Sequence, residues 1–295
     1  MRLRKKSIAR KRSKTIQGGI IMAIVVRTNA ASIFSQHRLG RTSNQLGKTF
    51  QRLASGARIN SAADDAAGLA ISTLLEHRIR GQGAAKHNAQ EGISLIQTLE
   101  GGVEQIRSIL DRMRELAVRA GNVTLSPADR TASNLEYTQL VAEVDRIAQS
   151  TTFNNGATIN ASLSLQFQVG FSNLASHRIQ ATVDFAINVA SLGLTSSISQ
   201  VAGAQNALAV ISTALSMVNQ YRSTLGAVQN RLERAISNLE ADIENATASN
   251  SRIRDVDFAE ETSRMTRLQI LTQSGTAVLG QANAAPQAAL ALLGG

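Results

Sequence analysis

Apolar residues recur at alternating spacings of three and four in two long stretches that lie in opposite halves of the chain. In the first, Ile96, Leu99, Val103, Ile106, Leu110, Met113 and Ala117 make one stripe, with Glu104, Arg107, Asp111, Arg112, Arg114 and Glu115 on the opposite face. In the second, Leu208, Ile211, Leu215 and Val218 lead into Leu225, Val228, Leu232, Ile236, Leu239, Ile243 and Ala246. This rhythm keeps one face of a helix turned toward a partner helix. Seams this long cannot bury themselves, and folding the chain back on itself lets each half cover the other. The expected fold is mainly α: a long antiparallel coiled-coil-like helical rod formed by the N- and C-terminal halves, with a small β-hairpin region in the middle.

The first seam helix begins near Ile93 and stops near Gly121-Asn122, a length of roughly 40 Å. Ser126-Pro127-Ala128-Asp129 announces the next one: serine caps, proline fits the first helical position, and the acid favours the positive helix end. That helix runs through Leu135, Leu140, Val141, Val144 and Ile147 to about residue 150. Upstream, Leu39, Ser43, Leu46, Phe50 and Leu53 repeat the spacing up to a break at Ser55-Gly56. Ser61-Ala62-Ala63-Asp64 then caps a helix carrying Leu69, Ile71, Leu74, Leu75 and Ile79, which Gly81-Gln82-Gly83 reads as ending. Between 151 and 202 the pattern changes. Residues 152–156 signal a turn, 164–170 alternate as a strand does, and 182–185 suggest a second short strand. A last amphipathic stretch, 255–293, is interrupted by Gly275, Gly280 and Pro286. The two terminal segments are rich in Ala, Ser and Gly, and are expected to order on assembly.

Charge needs its distribution. The chain has 31 Lys+Arg against 21 Asp+Glu, but eight of the basic residues fall in 1–21, which holds no acid, so 23 face 21 in the rest. Three readings fit that tail: an arm for nucleic acid or anionic lipid, the n-region of a secretory signal before the apolar run 20–26, or sequence upstream of a true start at Met22. The third is adopted, so 1–21 would not be native. The apolar run is too short for a bilayer, and no other segment is expected to span one.

Chemistry is sparse. There is no Cys, hence no disulfide, thiolate metal site or cysteine nucleophile. Aromatic residues make up 3%, thin for a ligand pocket or a base-stacking surface. Gly47-Lys48-Thr49 lacks the earlier glycine of a phosphate loop. His37, His77, His87 and His177 never fall at ligand spacing. Asp64-Asp65 point about 100° apart on a helix and cannot act across one bond. Asp255, Asp257, Glu260 and Glu261 read as an acidic face, solvated or paired with Arg252, Arg254 and Arg264. No catalytic residue, metal or cofactor is expected, and an enzyme is the poorest fit.

Several long motifs nevertheless resemble one family. RLASG at 52–56, RINSAADDAAGLAI at 58–71, NAQEGIS at 88–94 and RELAV at 114–118 are similar to the N-terminal region of bacterial flagellins. LGAVQNRL at 225–232, SRIRDVDFAEE at 251–261 and VLGQAN at 278–283 are similar to their C-terminal region. The likeness covers about 22–160 and 203–295. It implies an extracellular, motility-related filament subunit with an inner domain from 22–66 plus 255–295 and a helical rod from 67–254, whose β region at 151–202 lacks large outer domains. The partners it implies are copies of the chain itself, the flagellar export apparatus and an export chaperone, and the filament cap and hook-junction proteins; nucleic acid is not among them. Some family members also expose a site read by a Toll-like receptor of host innate immunity. Carried over, that site and the subunit contacts expected at the same place centre on Arg112, Arg114, Glu115 and Leu116, with Glu136 on the next helix. Two alternatives stand beside the filament subunit: the related hook–filament junction protein, and a basic-tailed nucleic-acid or membrane-surface binder.

Overall fold

The computed structural model describes residues 28–154 and 156–293; the basic extension 1–21, the start at Met22 and the last two residues lie outside them. The chain forms two units, one from residues up to Asn60 and from Val256 onward, the other Ser61–Asp255. The sequence reading drew these borders at 66/67 and 254/255. Unit 1 holds α1 (Ala30–Ser55) and α5 (Phe258–Leu293). Unit 2 holds α2 (Ala66–Ala120), α3 (Pro127–Ser150), α4 (Val201–Arg254) and four short strands, β1 (Thr152–Phe153), β2 (Ala157–Thr158), β3 (Leu163–Gln168) and β4 (Arg178–Val183).

In unit 2, Asp65 rather than Asp64 caps α2. Its carboxylate accepts from the Gly68 N–H at 2.9 Å, while Asp64 closes the preceding turn by accepting from the N–H and hydroxyl of Ser61. α2 then runs unbroken for 55 residues, about 80 Å. It passes straight through Gly81 and Gly83, where a helix end was expected. Each internal glycine costs roughly 1 kcal/mol of helix propensity, but two of them make room for the middle of the chain. A Cβ on Gly81 would lie 2.7 Å from Phe171 Cβ, and one on Gly92 would lie 2.8 Å from Phe167 Cδ1 and 3.2 Å from Leu232 Cδ1. The local penalty is offset by close packing of the insert on the helix.

α2 and α4 pair antiparallel, and their seams interlock. Ile96, Leu99, Val103, Ile106, Leu110 and Met113 are fully buried together with Ile211, Val218, Leu225 and Leu232. Ion pairs fix the register along the flanks: Arg254 with Glu76, Lys86 with Glu240 at 2.7 Å, and Arg222 with Glu104 at 2.7 Å. Arg107 also hydrogen-bonds Glu104 and holds its carboxyl below the usual range. Toward the start of α2 the seam continues through Gly68, Ser72, Gln82, Ala85 and Ala89. Ile71 and Leu74, apolar residues the sequence reading assigned to this helix, lie off the seam and are 52% and 70% exposed. Leu135 of α3 is likewise exposed, because α3 turns Tyr137, Val144 and Ala148 inward instead. The first part of α4 is long and apolar enough to cross a membrane by length and composition, which the sequence reading had excluded. In the fold that stretch supplies Ala204, Ala207, Ile211, Ala214 and Val218 to the seam.

The middle segment forms two hairpins. β1 pairs with β2 around a turn in which Asn154 is left-handed, at φ 48°. β3 pairs antiparallel with β4 in the register Leu163↔Val183, Leu165↔Ala181, Phe167↔Ile179, so alternate residues give one apolar face that packs on α2 and α4. Beside it, Tyr221 of α4 is fully buried and meets the Phe185 ring edge-on at 6.0 Å. Burial pushes its phenol up to about 12. A folded-state value above the unfolded one near 10 means this contribution is intact below pH 10 and disappears as pH rises toward 12. Alkaline unfolding followed by circular dichroism should show unit 2 losing roughly 2 kcal/mol across that window. Tyr221→Phe should flatten the loss, and an unchanged slope would count against it.

In unit 1, Gly56 at φ 70° ends α1 in a left-handed cap, and its carbonyl accepts from the Val256 N–H at 3.0 Å. Asp257 then caps α5 through the N–H groups of Ala259 and Glu260. α5 continues through Gly275, Gly280 and Pro286, the positions expected to interrupt it. Proline has no N–H, so the carbonyl four residues earlier, on Ala282, loses its helical donor. Asn29 supplies the replacement: its Nδ2 donates to Ala282 O at 2.7 Å, while its Oδ1 accepts from Ser32 N and caps α1. Ser32 Oγ reaches Asn283 Oδ1 at 2.7 Å beside it. One amide therefore caps one helix and mends another.

Candidate functional site

A protein that assembles presents its function as surfaces, and the two units present different ones. In unit 2 the residues singled out in the sequence divide. Arg112 donates from Nε to Glu136 Oε1 at 2.9 Å, and from a terminal nitrogen to Glu115 Oε2 at 2.9 Å, so one guanidinium bridges α2 and α3. Glu115 and then Glu136 hold that guanidinium above its ordinary value. All three side chains are about half exposed or more, and Arg114 is exposed as well. Leu116 does not join them. It is 3% exposed and packs in the seam between Met113 and Ala120, so it supports the face from beneath and offers no contact itself.

Exposed apolar side chains lie close to these residues in the chain. Val118 (59% exposed) follows Glu115 by three residues on α2, Leu135 (65%) precedes Glu136 on α3, and Val123 (80%) stands in the loop between the helices. Their signal in the sequence was weak, since a leucine in a helical period reads as core.

Unit 1 differs in kind. Among the described residues it contributes seven of the fourteen exposed large apolar side chains from about a quarter of the length: Ile33, Phe34, Phe50, Phe258, Ile270, Leu271 and Val278. Phe34, Leu39, Leu271 and Val278 line an open cavity of about 310 Å³ between α1 and α5. Arg38 lies over the Phe34 ring at 5.1 Å. Leu268 is buried, but Ile270, two residues on, points to another side of α5, so that helix is apolar on more faces than α1 covers. A helix apolar on several sides belongs inside a larger assembly.

Among the described residues no group of three His, Asp or Glu side chains could hold a metal ion. His87 pairs with Glu91 at 3.3 Å, and His177 Nδ1 lies 2.7 Å from Ser172 Oγ; both are local contacts.

The chain matches two family models, the bacterial flagellin N-terminal helical region over residues 26–163 and the bacterial flagellin C-terminal helical region over 208–293. It is 43% identical over 272 residues to a flagellin of Halalkalibacterium halodurans, with 92% of this chain and 100% of that one covered. It is 38% identical to flagellin FlaB2 of Treponema pallidum, and 38% identical to the flagellar filament 33 kDa core protein of Treponema phagedenis, at the same coverages. Among solved structures it is similar to Bacillus cereus flagellin, at 31% identity and a TM-score of 0.44 over 52% of this chain and 88% of that one.

Proposed function

The chain belongs to the bacterial flagellin family, and we propose that it builds its filament through two surfaces of different character: the apolar α1–α5 unit and the charged Arg112–Glu136 face. It is a structural subunit that self-assembles into the extracellular flagellar filament used for swimming. The observation that carries the finer reading is the unfinished burial of unit 1. Covering a large apolar side chain is worth roughly 1.5–3 kcal/mol. Seven such side chains could contribute on the order of 10 kcal/mol to subunit addition before entropy is charged against it. Unit 2 already has its core, so it serves as the rigid spacer. No catalytic role is proposed.

The experiment is polymerisation of the purified chain, followed by light scattering and electron microscopy. Phe34→Ser with Val278→Ser should raise the critical concentration by about tenfold or more, since removing two buried contacts exceeds the 1.4 kcal/mol that a decade needs. Unit 2 should melt unchanged. Filaments forming at the wild-type concentration would rule out the apolar unit as the driving surface.

The charged face is proposed as a second subunit contact, where charge sets orientation more than strength. Arg112→Ala should leave the melting temperature nearly unaltered while slowing filament growth in low salt. The same face is the proposed point of recognition by a Toll-like receptor, through Arg112, Arg114, Glu115 and Glu136. Reporter cells exposed to monomer read this directly, and silence from the wild type would end it. Passage through the flagellar export apparatus with an export chaperone, and contacts with cap and hook-junction proteins, are proposed as the remaining partners.

A further inference from the structure

Charge is separated within unit 1. Its described residues carry seven basic side chains against three acidic ones, and α1 has no acid at all. Four of the basic groups converge. Lys48 and Arg52 on α1, one turn apart, and Arg264 and Arg267 on α5, three residues apart, line one groove of about 400 Å³ with Gln45 and Thr49. Against these four stands Glu261, 5% exposed, 3.9 Å from Arg52 and 3.6 Å from Arg264. Lys48 and Arg267 have no acidic partner among the described residues, and both are exposed. The groove thus holds a surplus of positive charge beside an apolar surface, where repulsion between approaching copies would oppose packing.

The compensating charge is on the same helix. Glu260 is exposed, has no basic partner among the described residues, and lies seven positions before Arg267, on the same face of α5. Asp257 stands beside it at the helix start. Within one molecule Glu260 makes no ion pair with Lys48 on α1 or with Arg267, from which about 10 Å of α5 separates it, and Asp257 is engaged as the α5 cap. Between molecules Glu260 and these cations can meet.

We propose that the Lys48–Arg267 groove receives Glu260, with Asp257 beside it, from a second copy of this chain, as a heterologous charge contact that sets how neighbouring units 1 dock. This rests on the filament reading above and names the partner of its apolar unit. In a helical assembly each subunit gives its Glu260 to one neighbour and takes that of another in its groove.

Charge reversal tests it. In low salt, Lys48→Glu with Arg267→Glu should raise the critical concentration about tenfold, and Glu260→Arg should do the same, with circular dichroism of the monomers unchanged. Combining all three reversals should bring it back to within about threefold of wild type, because the pair is then rebuilt with opposite sign. Assembly of either partial reversal at the wild-type concentration, or failure of the combined variant to recover, overturns the contact. So would a Glu260→Arg variant that assembles normally while wild-type assembly requires added sulfate, since the groove would then hold a free oxyanion. If the wild-type chain itself forms no filaments, the filament reading falls along with this one; the other outcomes strike the contact alone.

Discussion

Alanine at Gly92 should weaken unit 2, while alanine at Gly101, nine residues along the same helix, should strengthen it. Both replacements gain helix propensity, about 0.5–1 kcal/mol each. At Gly101 nothing lies within 4 Å of the added Cβ, so that gain is realised in full. At Gly92 the new methyl would lie 2.8 and 2.9 Å from the Phe167 ring and 3.2 Å from Leu232, inside a buried three-way junction of α2, α4 and β3. Overpacking of this kind costs about 1–3 kcal/mol. Gly92→Val, with two more methyl groups, should reach the upper end of that range or beyond. Urea unfolding monitored at helical wavelengths gives the sign of each change. Stabilisation at both positions would mean that β3 is not packed on α2 as described.

Asn29→Ala should loosen unit 1 by about 2–3 kcal/mol, combining a lost helix cap with an orphaned carbonyl on Ala282. Asn29→Asp separates the two roles. It keeps an oxygen for the Ser32 N–H but puts a carboxylate where Ala282 O needs a donor. Pro286→Ala returns an N–H to the α5 backbone, which can then satisfy Ala282 without help. The penalty of Asn29→Asp should therefore be markedly smaller with Ala at 286 than with Pro, a coupling that a double-mutant cycle on amide-exchange protection would measure. Additive effects at 29 and 286 would refute the link between them.

The seams were the most legible part of the chain. Leu99 and Leu225 sit in uninterrupted three–four spacing, and both are fully buried. Periodicity failed where the seam turned small and polar. Ser72 and Gln82 carry it at the start of α2, while Ile71 and Leu74, the stronger apolar signal, face outward. Glycine was misread for a related reason. Gly81 lowers helix propensity locally, and the Phe171 contact that makes it useful comes from 90 residues away. Pro286 is the same case, since its compensation by Asn29 lies outside any local window. Of the candidate site, the Arg112–Glu115 pair was readable as neighbours on one helix face, and Glu136 through the resemblance. Leu116 was misassigned because a motif names residues without saying which way they point.

The hydrogen bond between Asn29 and Ala282 joins positions 253 apart in the chain, nearly its whole described length. Contacts of such long range pay their loop-closure entropy before they return anything, and so form late. On the export route proposed above, this becomes a clock. Whichever terminus emerges first has no partner until the other has followed, so the surface that would capture a neighbouring subunit does not exist while any of the chain is still in transit.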